Sequence, residues 1–454
     1  MFRLKERIKS WMGPLWWYTL VLFCVQRLGD VINAFIGLWL VPKYVTQEEL
    51  GAVLPLGQVG GILALPLAVL AVTFSKYVNA FAMRGEYGKV KSLIRDVLVL
   101  VVVLFVGIIL YAQLFLPLVF ERMRVGDGRL GMLVVVSGVL GSLAAFFTNA
   151  LQALKKFKLI SVIGLISAPL RLATLLVFLP IRALSGYFVG QIVPLLYGVG
   201  AALFGLKGIV FNKALKAVPY WGQDGRGMMR FSAHVALGSL FGVIQPLVET
   251  FVIRHRLPDI DSAGYYMISR FAEIGSYVGM TMMFVLVPLG SEQHERGEKS
   301  QKLVVHAMGG ALGSGLLLAF GFWLMGKHLL NLTPMWRIYA GFTPHLALLT
   351  VILTLRATAQ CFMSHEVVCH RFGFYWYTSI IAMCEAFFLY CITGFSFFEP
   401  WVSASWIEWV ADLNAGRIGF VLIVMLWSSL LSLLAMFGQL ALQRCERSRK
   451  TQSS

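Results

Sequence analysis

Long apolar runs recur along this chain, separated by short polar segments. They can be placed at 16–41, 53–75, 97–120, 130–153, 159–180 and 186–206, and again at 231–253, 265–290, 303–325, 338–362, 373–398 and 418–442. Each matches the ~20 residues that an α-helix needs to cross the ~30 Å hydrocarbon core of a bilayer. A sequence that is apolar all round the helix, not along one stripe, belongs in lipid or in a large core. The pattern predicts an all-α polytopic membrane protein of about twelve transmembrane helices. Its longest interruption, 207–230, holds Lys213, Lys216, Pro219, Gly222, Gly225 and Gly227, which suits a linker. It divides the chain into a six-helix bundle at 1–206, the linker, and a second six-helix bundle with a tail at 231–454.

The halves carry matching landmarks. Arg84-Gly85-Glu86 follows the second span and Arg296-Gly297-Glu298 the eighth, 212 positions later. Gly51 and Gly264 open those spans after short acidic segments, Gln47-Glu48-Glu49 and Asp259-Ile260-Asp261, at an offset of 213. Six spans per half give both halves one orientation, so the repeat is parallel, as in some transporter folds. Two pseudo-symmetric bundles around a central cavity is the architecture this predicts. Pro55, Pro66, Pro169, Pro194, Pro246, Pro288 and Pro344 fall within spans and mark kinks or irregular packing.

Composition turns the pattern into an exclusion. Hydrophobic residues make up 58% of the 454 and charged ones 13%, against about 25% charged in soluble proteins. No soluble globule of this length has enough interior for that apolar surface, which excludes soluble enzymes, disordered scaffolds and secreted disulfide domains. The net charge of +17 is a topology signal, not a nucleic-acid footprint. With twelve spans both termini share a side. Of the 39 Lys and Arg residues, 25 fall on that side, 10 on the other and four within spans. With acids subtracted the sides carry +16 and +1, and the positive-inside rule makes the +16 side cytoplasmic. The basic start, Phe2–Lys9, leads into a span too long for a signal-peptide core and reads as a retained first helix. Cys24, Cys361, Cys384 and Cys391 lie in spans and Cys369 and Cys445 in inner segments, so no outer disulfide and no metal site is expected. Trp16, Trp17, Tyr18, Trp39, Tyr44, Trp401, Trp406 and Trp409 read as interfacial belts, with Trp401–Trp409 as an outer amphipathic stretch. There is no G-x-S-x-G, P-loop or H-E-x-x-H, and neither enzyme activity nor a cofactor is expected.

Charges inside spans cost ~2.5–3.5 kcal/mol each on insertion scales and so mark partners or wet cavities. Four arginines, Arg27, Arg171, Arg270 and Arg356, face four acids, Asp30, Glu249, Glu273 and Glu385. In the first span Gln26, Asp30, Asn33 and Gly37 form one stripe, with Arg27 beside it and three residues from Asp30. In the seventh span Gly238, Gly242, Gln245 and Glu249 repeat the same spacing. The stripes line a shared cavity or make helix–helix hydrogen bonds. Arg270 and Glu273 are three apart near the outer end of the eighth span, as a cavity pair or a snorkelling interfacial one. Arg171 and Arg356 have no carboxylate three or four residues away on their own helices. Gln360 follows Arg356 by a turn, and Thr350, Thr354 and Thr358 stripe an adjacent face. Glu385, central in the eleventh span, is either protonated and structural or a proton or ion site. Asp30 and Glu249 are the other ion-coupling candidates. His234, His306 and His345 are proton relays or helix–helix contacts.

The stretch Leu40-Val41-Pro42-Lys43-Tyr44-Val45-Thr46-Gln47-Glu48-Glu49-Leu50-Gly51 resembles the first-hairpin region of polysaccharide-export flippases, in which a span ends at a short loop with an acidic pair and a Gly. Asp259-Ile260-Asp261-Ser262-Ala263-Gly264-Tyr265-Tyr266 is similar to the same family's seventh loop and eighth helix. The resemblance implies the multidrug/oligosaccharidyl-lipid/polysaccharide (MOP) exporter superfamily, with an O-antigen-type flippase as the closest branch. It implies alternating-access export of an undecaprenyl-pyrophosphate-linked oligosaccharide across a bacterial plasma membrane. Expected partners are that lipid-linked glycan, membrane lipids and glycan-assembly enzymes of the same pathway. Candidate substrate-binding residues are Arg27, Asp30, Asn33, Arg171, Gln245, Glu249, Arg270, Glu273 and Arg356. Guanidinium groups suit phosphate oxygens because they are planar and always charged. The alternatives are a cation-coupled multidrug antiporter of the same superfamily, which needs an acid-dominated cavity, and a membrane glycan polymerase or ligase, which needs a large outer loop.

Overall fold

A computed structural model describes residues 29–122, 128–154, 156–210, 212–213, 215–295, 301–369, 371–393 and 417–452. Among the described residues the regular structure is helical throughout, without a strand. The first helix, α1 (29–44), is interrupted by a π-helical turn at Ile36–Leu40. Then follow α2 (Gln47–Leu63), α3 (Leu65–Met83), α4 (Tyr87–Arg122), α5 (Gly128–Ala153) and α6 (Phe157–Gly205). Beyond the linker come α7 (Gln223–Arg256), α8 (Asp259–Glu295), α9 (Gln301–Leu330), α10 (Thr343–Val368), α11 (Phe374–Thr393) and α12 (Arg417–Gln452).

Eight of the described helices are long and apolar enough to cross a membrane, or nine with the bent α8 counted as one span. The predicted runs map onto these helices with local interruptions. The second run is broken at Ala64, because Pro66 stands at the start of α3 without an N–H to continue the helix. The fifth and sixth runs form the two arms of α6 (Phe157–Gly205), two helices joined by a sharp reversal at Arg182 and Ala183, whose backbone is non-helical. Ala183 there has φ +43°, a strained conformation for a residue with a Cβ. Gly186 lies against the Phe178 carbonyl, where no side chain fits. The eleventh run is a shorter apolar helix at Phe374–Leu389, and most of the first run lies outside the described residues.

The acidic landmarks are helix starts. Thr46 Oγ1 accepts from the Glu49 backbone N–H at 3.3 Å, and Glu49 Oε2 accepts from the Thr46 N–H at 3.1 Å. This capping box satisfies two N-terminal donors at once. Asp259 and Asp261 occupy the first turn of α8, where the helix dipole favours negative charge. Arg84-Gly85-Glu86 is a helix stop: Gly85 has φ +75°, and the Glu86 and Gly85 N–H groups return to the carbonyls of Phe81 and Ala82 at 2.8 and 3.1 Å. That is a Schellman cap, which favours Gly at the left-handed position. Its sequence counterpart, Arg296-Gly297-Glu298, lies outside the described residues.

Contacts divide the chain into two compact units, Met1–Arg270 with Ser291–Glu298, and Phe271–Gly290 with Lys299–Ser454. The division falls inside α8, at Arg270. In the first unit α5 packs on α3 and α6, and α7 lies along both α2 and α3. Near the start of α7, Ser232 Oγ donates to Thr73 Oγ1 at 3.0 Å. Near its end, Ser262 fills the space left by Gly51. In the second unit α10 is central, packed on α9 and α12, with α11 on α12.

Candidate functional site

In the first unit the reversal of α6 brings its second half back onto its first. Leu175 lies against Gly190, and Thr174 Oγ1 donates to the Gly190 carbonyl at 2.6 Å. Arg171, one turn earlier, therefore meets Tyr187. Its Nη2 donates to Tyr187 Oη at 3.3 Å, and the guanidinium stands 6.0 Å from the ring centroid. Its Nη1 donates to Asn33 Oδ1 on α1 at 3.2 Å. Nε is buried with no hydrogen-bond partner among the described residues. Two neutral side chains thus fix the plane of a charged fork and leave its buried Nε–H without an acceptor among the described residues. Asp30 lies one turn before Asn33 and is half-buried. Arg27 lies outside the described residues.

The π-helical turn of α1 frees a backbone carbonyl, and Tyr266 Oη on α8 donates to it, at Gly37, over 3.2 Å. Arg270, one turn on, covers the Tyr266 ring at 5.2 Å and lies against Gly37. On α7, Gln245 is half-buried and Glu249 is 2% exposed. Glu273 is half-buried in the second unit. Sequence reasoning missed Arg254, assigned to an outer loop. It is 1% exposed and forms an ion pair with Asp259 at 2.6 Å, with Glu48 at 4.0 Å. The signal was available, since the acids of both landmark segments surround it.

In the second unit Arg356 on α10 pairs with Glu385 on α11, Nη2 to Oε1 at 3.1 Å. Its Nε donates to Ser429 Oγ on α12 at 3.1 Å. The Glu385 side chain is 1% exposed and that of Arg356 18%. Glu385, solitary in sequence, therefore has a cationic partner across a helix boundary. The Thr350, Thr354 and Thr358 stripe is fully buried. Each hydroxyl returns to the carbonyl four residues back on its own helix, at 2.7–2.8 Å. Thr354 occupies the space over Gly315, and Thr350 the space over Gly275. That stripe is helix packing. His234 and His306 likewise bond the carbonyls of Arg230 and Lys302 on their own helices.

A second buried cluster, also missed, closes α10. His365 Nδ1 lies 3.3 Å from Glu366 Oε1 and its Nε2 3.5 Å from Cys369 Sγ. Gln439 of α12 donates to Glu366 Oε2 at 3.4 Å. No group of three or more His, Cys, Asp or Glu among the described residues is arranged to hold a metal ion.

The chain as a whole superposes on known structures over nearly its full length. A mutant of the Vibrio cholerae MATE transporter VcmN superposes with a TM-score of 0.67 over 95% of this chain and 97% of its own, at 14% identity. The fold is that of the MATE transporters. A MATE transporter in the straight conformation gives 0.65 at 15% identity, covering 96% of this chain and 98% of its own. The inward-facing conformation of a multidrug-resistance MATE family transporter of the MOP superfamily gives 0.63 at 13%, covering 94% and 99%. MATE folds set 12 helices in two bundles. No family model matches the chain, and no curated protein matches it in sequence.

Proposed function

We propose that this protein is a MOP-superfamily flippase that carries an undecaprenyl-pyrophosphate-linked oligosaccharide from the inner to the outer leaflet of a bacterial plasma membrane. It serves cell-surface polysaccharide biosynthesis and works by alternating access, with the spans of 1–206 and 231–454 as its two bundles. Arg171 carries the reading. A guanidinium held in plane by the neutral Asn33 and Tyr187, with Nε unsatisfied among the described residues, is a receptor for an anion. Its fork geometry matches phosphate oxygens. The membrane potential assists: each negative charge moved outward gains ~2.3 kcal/mol per 100 mV.

A cation-coupled multidrug antiporter is the second reading. It is favoured by the buried Glu249 on α7 and by the multidrug-resistance transporter among the fold neighbours. Complementation separates the two. A strain lacking its flippase, supplied with a panel of lipid-linked glycans, regains surface glycan with this protein and shows no change in drug tolerance. Restored drug tolerance without glycan export reverses the order of the readings.

The orientation is part of the same proposal. Both termini are cytoplasmic, so a reporter active only in the periplasm and fused after Ser454 stays silent. A strong signal there would overturn the orientation.

A further inference from the structure

The first turns of α7 present two faces. Asp224, Gly227 and Phe231 lie three and four residues apart and share one of them. That face packs on the first unit. Lys89 Nζ on α4 donates to Asp224 Oδ2 at 2.8 Å, Gly227 lies against Tyr77 Oη on α3, and the Phe231 and Tyr77 rings meet edge to face at 6.1 Å. Gly222, Gly225, Arg226 and Met229 share the other face. Together with Trp221 they line a cavity of about 410 Å³, within the ~300–1,000 Å³ of small-molecule sites.

One wall of this cavity is held in place. Tyr220 is 4% exposed, and the Trp221 indole stacks on its ring at 5.1 Å. A Cβ on Gly225 would stand 3.3 Å from Trp221 Cε3, so the indole rests directly on the helix. Trp221 is nevertheless 56% exposed and Met229 64%. Large apolar side chains fixed outward are unfavourable against water and favourable against an apolar neighbour.

The charge around the cavity has one sign. Segment 207–230 holds five Lys and Arg residues and one acid, Asp224, and Lys89 engages that acid. Lys213, Lys216, Arg226 and Arg230 are all exposed. From this point α7 runs on as a helix long and apolar enough to cross a membrane, over Asp224–His255. The cavity therefore lies where a span meets the membrane surface, the level at which Trp side chains collect.

We propose that this cavity is a binding site for an anionic phospholipid, with the lipid phosphate on Arg226 and the start of the acyl chains against Trp221 and Met229. The planar guanidinium fork matches phosphate oxygens. Arg230, one turn further along α7, and Lys213 and Lys216 in the preceding segment add attraction for an anionic surface. A soluble anion would meet the needs of Arg226 alone, and a neutral apolar partner those of Trp221 and Met229 alone. A phospholipid meets both at one place. The bound lipid tethers the start of α7 to the membrane surface. The site is separate from the cargo and holds for the flippase and antiporter readings alike.

The test uses the full chain in phosphatidylcholine nanodiscs containing a rising fraction of phosphatidylglycerol. One lipid or the other is brominated near the glycerol end of its acyl chains, to quench nearby tryptophans. Subtracting the emission of Trp221→Phe from that of wild type isolates Trp221 among the twelve tryptophans. Phe keeps a ring stacked on Tyr220. Brominated phosphatidylglycerol should quench the Trp221 component more strongly than brominated phosphatidylcholine at the same mole fraction. One surface cation is worth roughly fivefold in binding. Arg226→Gln, read against its own Trp221→Phe partner, should therefore need about fivefold more phosphatidylglycerol for half-quenching. Native mass spectrometry reads the same preference in the wild type without any variant: phosphatidylglycerol should stay bound where phosphatidylcholine is lost. Equal quenching of Trp221 by the two lipids, or equal retention of both, would overturn the inference. Quenching by neither lipid would place the cavity in water and overturn it as well. A preference unchanged in Arg226→Gln would remove the phosphate from Arg226 and overturn the assignment. None of these outcomes bears on the cargo.

Discussion

Arg171 and Arg356 are the same side chain in two electrostatic settings. Arg171 is held by an amide oxygen and a phenol oxygen, both neutral, and keeps its full charge with a donor to spare. Arg356 is held by a carboxylate and a hydroxyl, so the Arg356–Glu385 pair is electrically neutral as a unit. Desolvating either arginine is costly, but the cost is met differently. At Arg356 the protein supplies the counter-charge. At Arg171 it supplies only orientation, which leaves the counter-charge to come from a ligand. Two arginines in apolar helices are therefore not two copies of one binding group.

Removing the cation should have opposite consequences for stability at the two places. Arg356→Gln removes the cation that lies 3.1 Å from Glu385, and breaking a buried ion pair by removing one member costs about 3–5 kcal/mol. The variant should accumulate poorly and melt early. Adding Glu385→Gln should restore abundance, because both charges then disappear together. Thermal melting of the single and double variants reads this directly. Equal melting of wild type and Arg356→Gln would mean that the pair contributes no stability.

The fold was largely legible because its signals are local. Apolar run length, the Thr46–Glu49 capping pattern, the acids at 259 and 261 and the left-handed Gly85 each act within a few residues of sequence. The shared offset of the landmarks has a local meaning as well, since each acidic segment opens a helix and Arg84-Gly85-Glu86 closes one. The charged sites were legible only as a list. Glu385 lies 29 positions from Arg356, on another helix, and no helical periodicity connects the two. The Asn33–Arg171 bond spans 138 positions, and the Arg171–Tyr187 bond depends on the reversal at Ala183, whose positive φ no turn residue announces. The Thr350–Thr354–Thr358 stripe pointed the other way. Its spacing suited a polar lining, yet its hydroxyls turn back on their own helix, and Gly315 and Gly275 receive it. Arg254 escaped because a position at the end of an apolar run reads as loop, although it is 1% exposed among acids from two helix starts.

The smaller expected effect falls at Arg171, and it should appear in transport and not in stability. Arg171→Gln removes a charge without stranding one, because Asn33 and Tyr187, which hold it, are neutral and the amide replaces part of their hydrogen bonding. Membrane abundance and melting should stay near wild type. Affinity for a pyrophosphate probe should drop by the value of a charge-assisted hydrogen bond, about 1.5–3 kcal/mol, or roughly tenfold to somewhat above a hundredfold at 1.4 kcal/mol per decade. Arg171→Lys separates charge from geometry. The ammonium keeps the charge but cannot hold Asn33 and Tyr187 in one plane while offering a further in-plane N–H. Export at matched abundance should therefore rank Arg above Lys above Gln. Its pH profile should be unchanged in all three, since the side chains bonded to Arg171, Asn33 and Tyr187, are neutral. An Arg171→Gln protein that accumulates normally and exports glycan at the wild-type rate would remove Arg171 from the pathway. The flippase reading would then lose the observation that carries it.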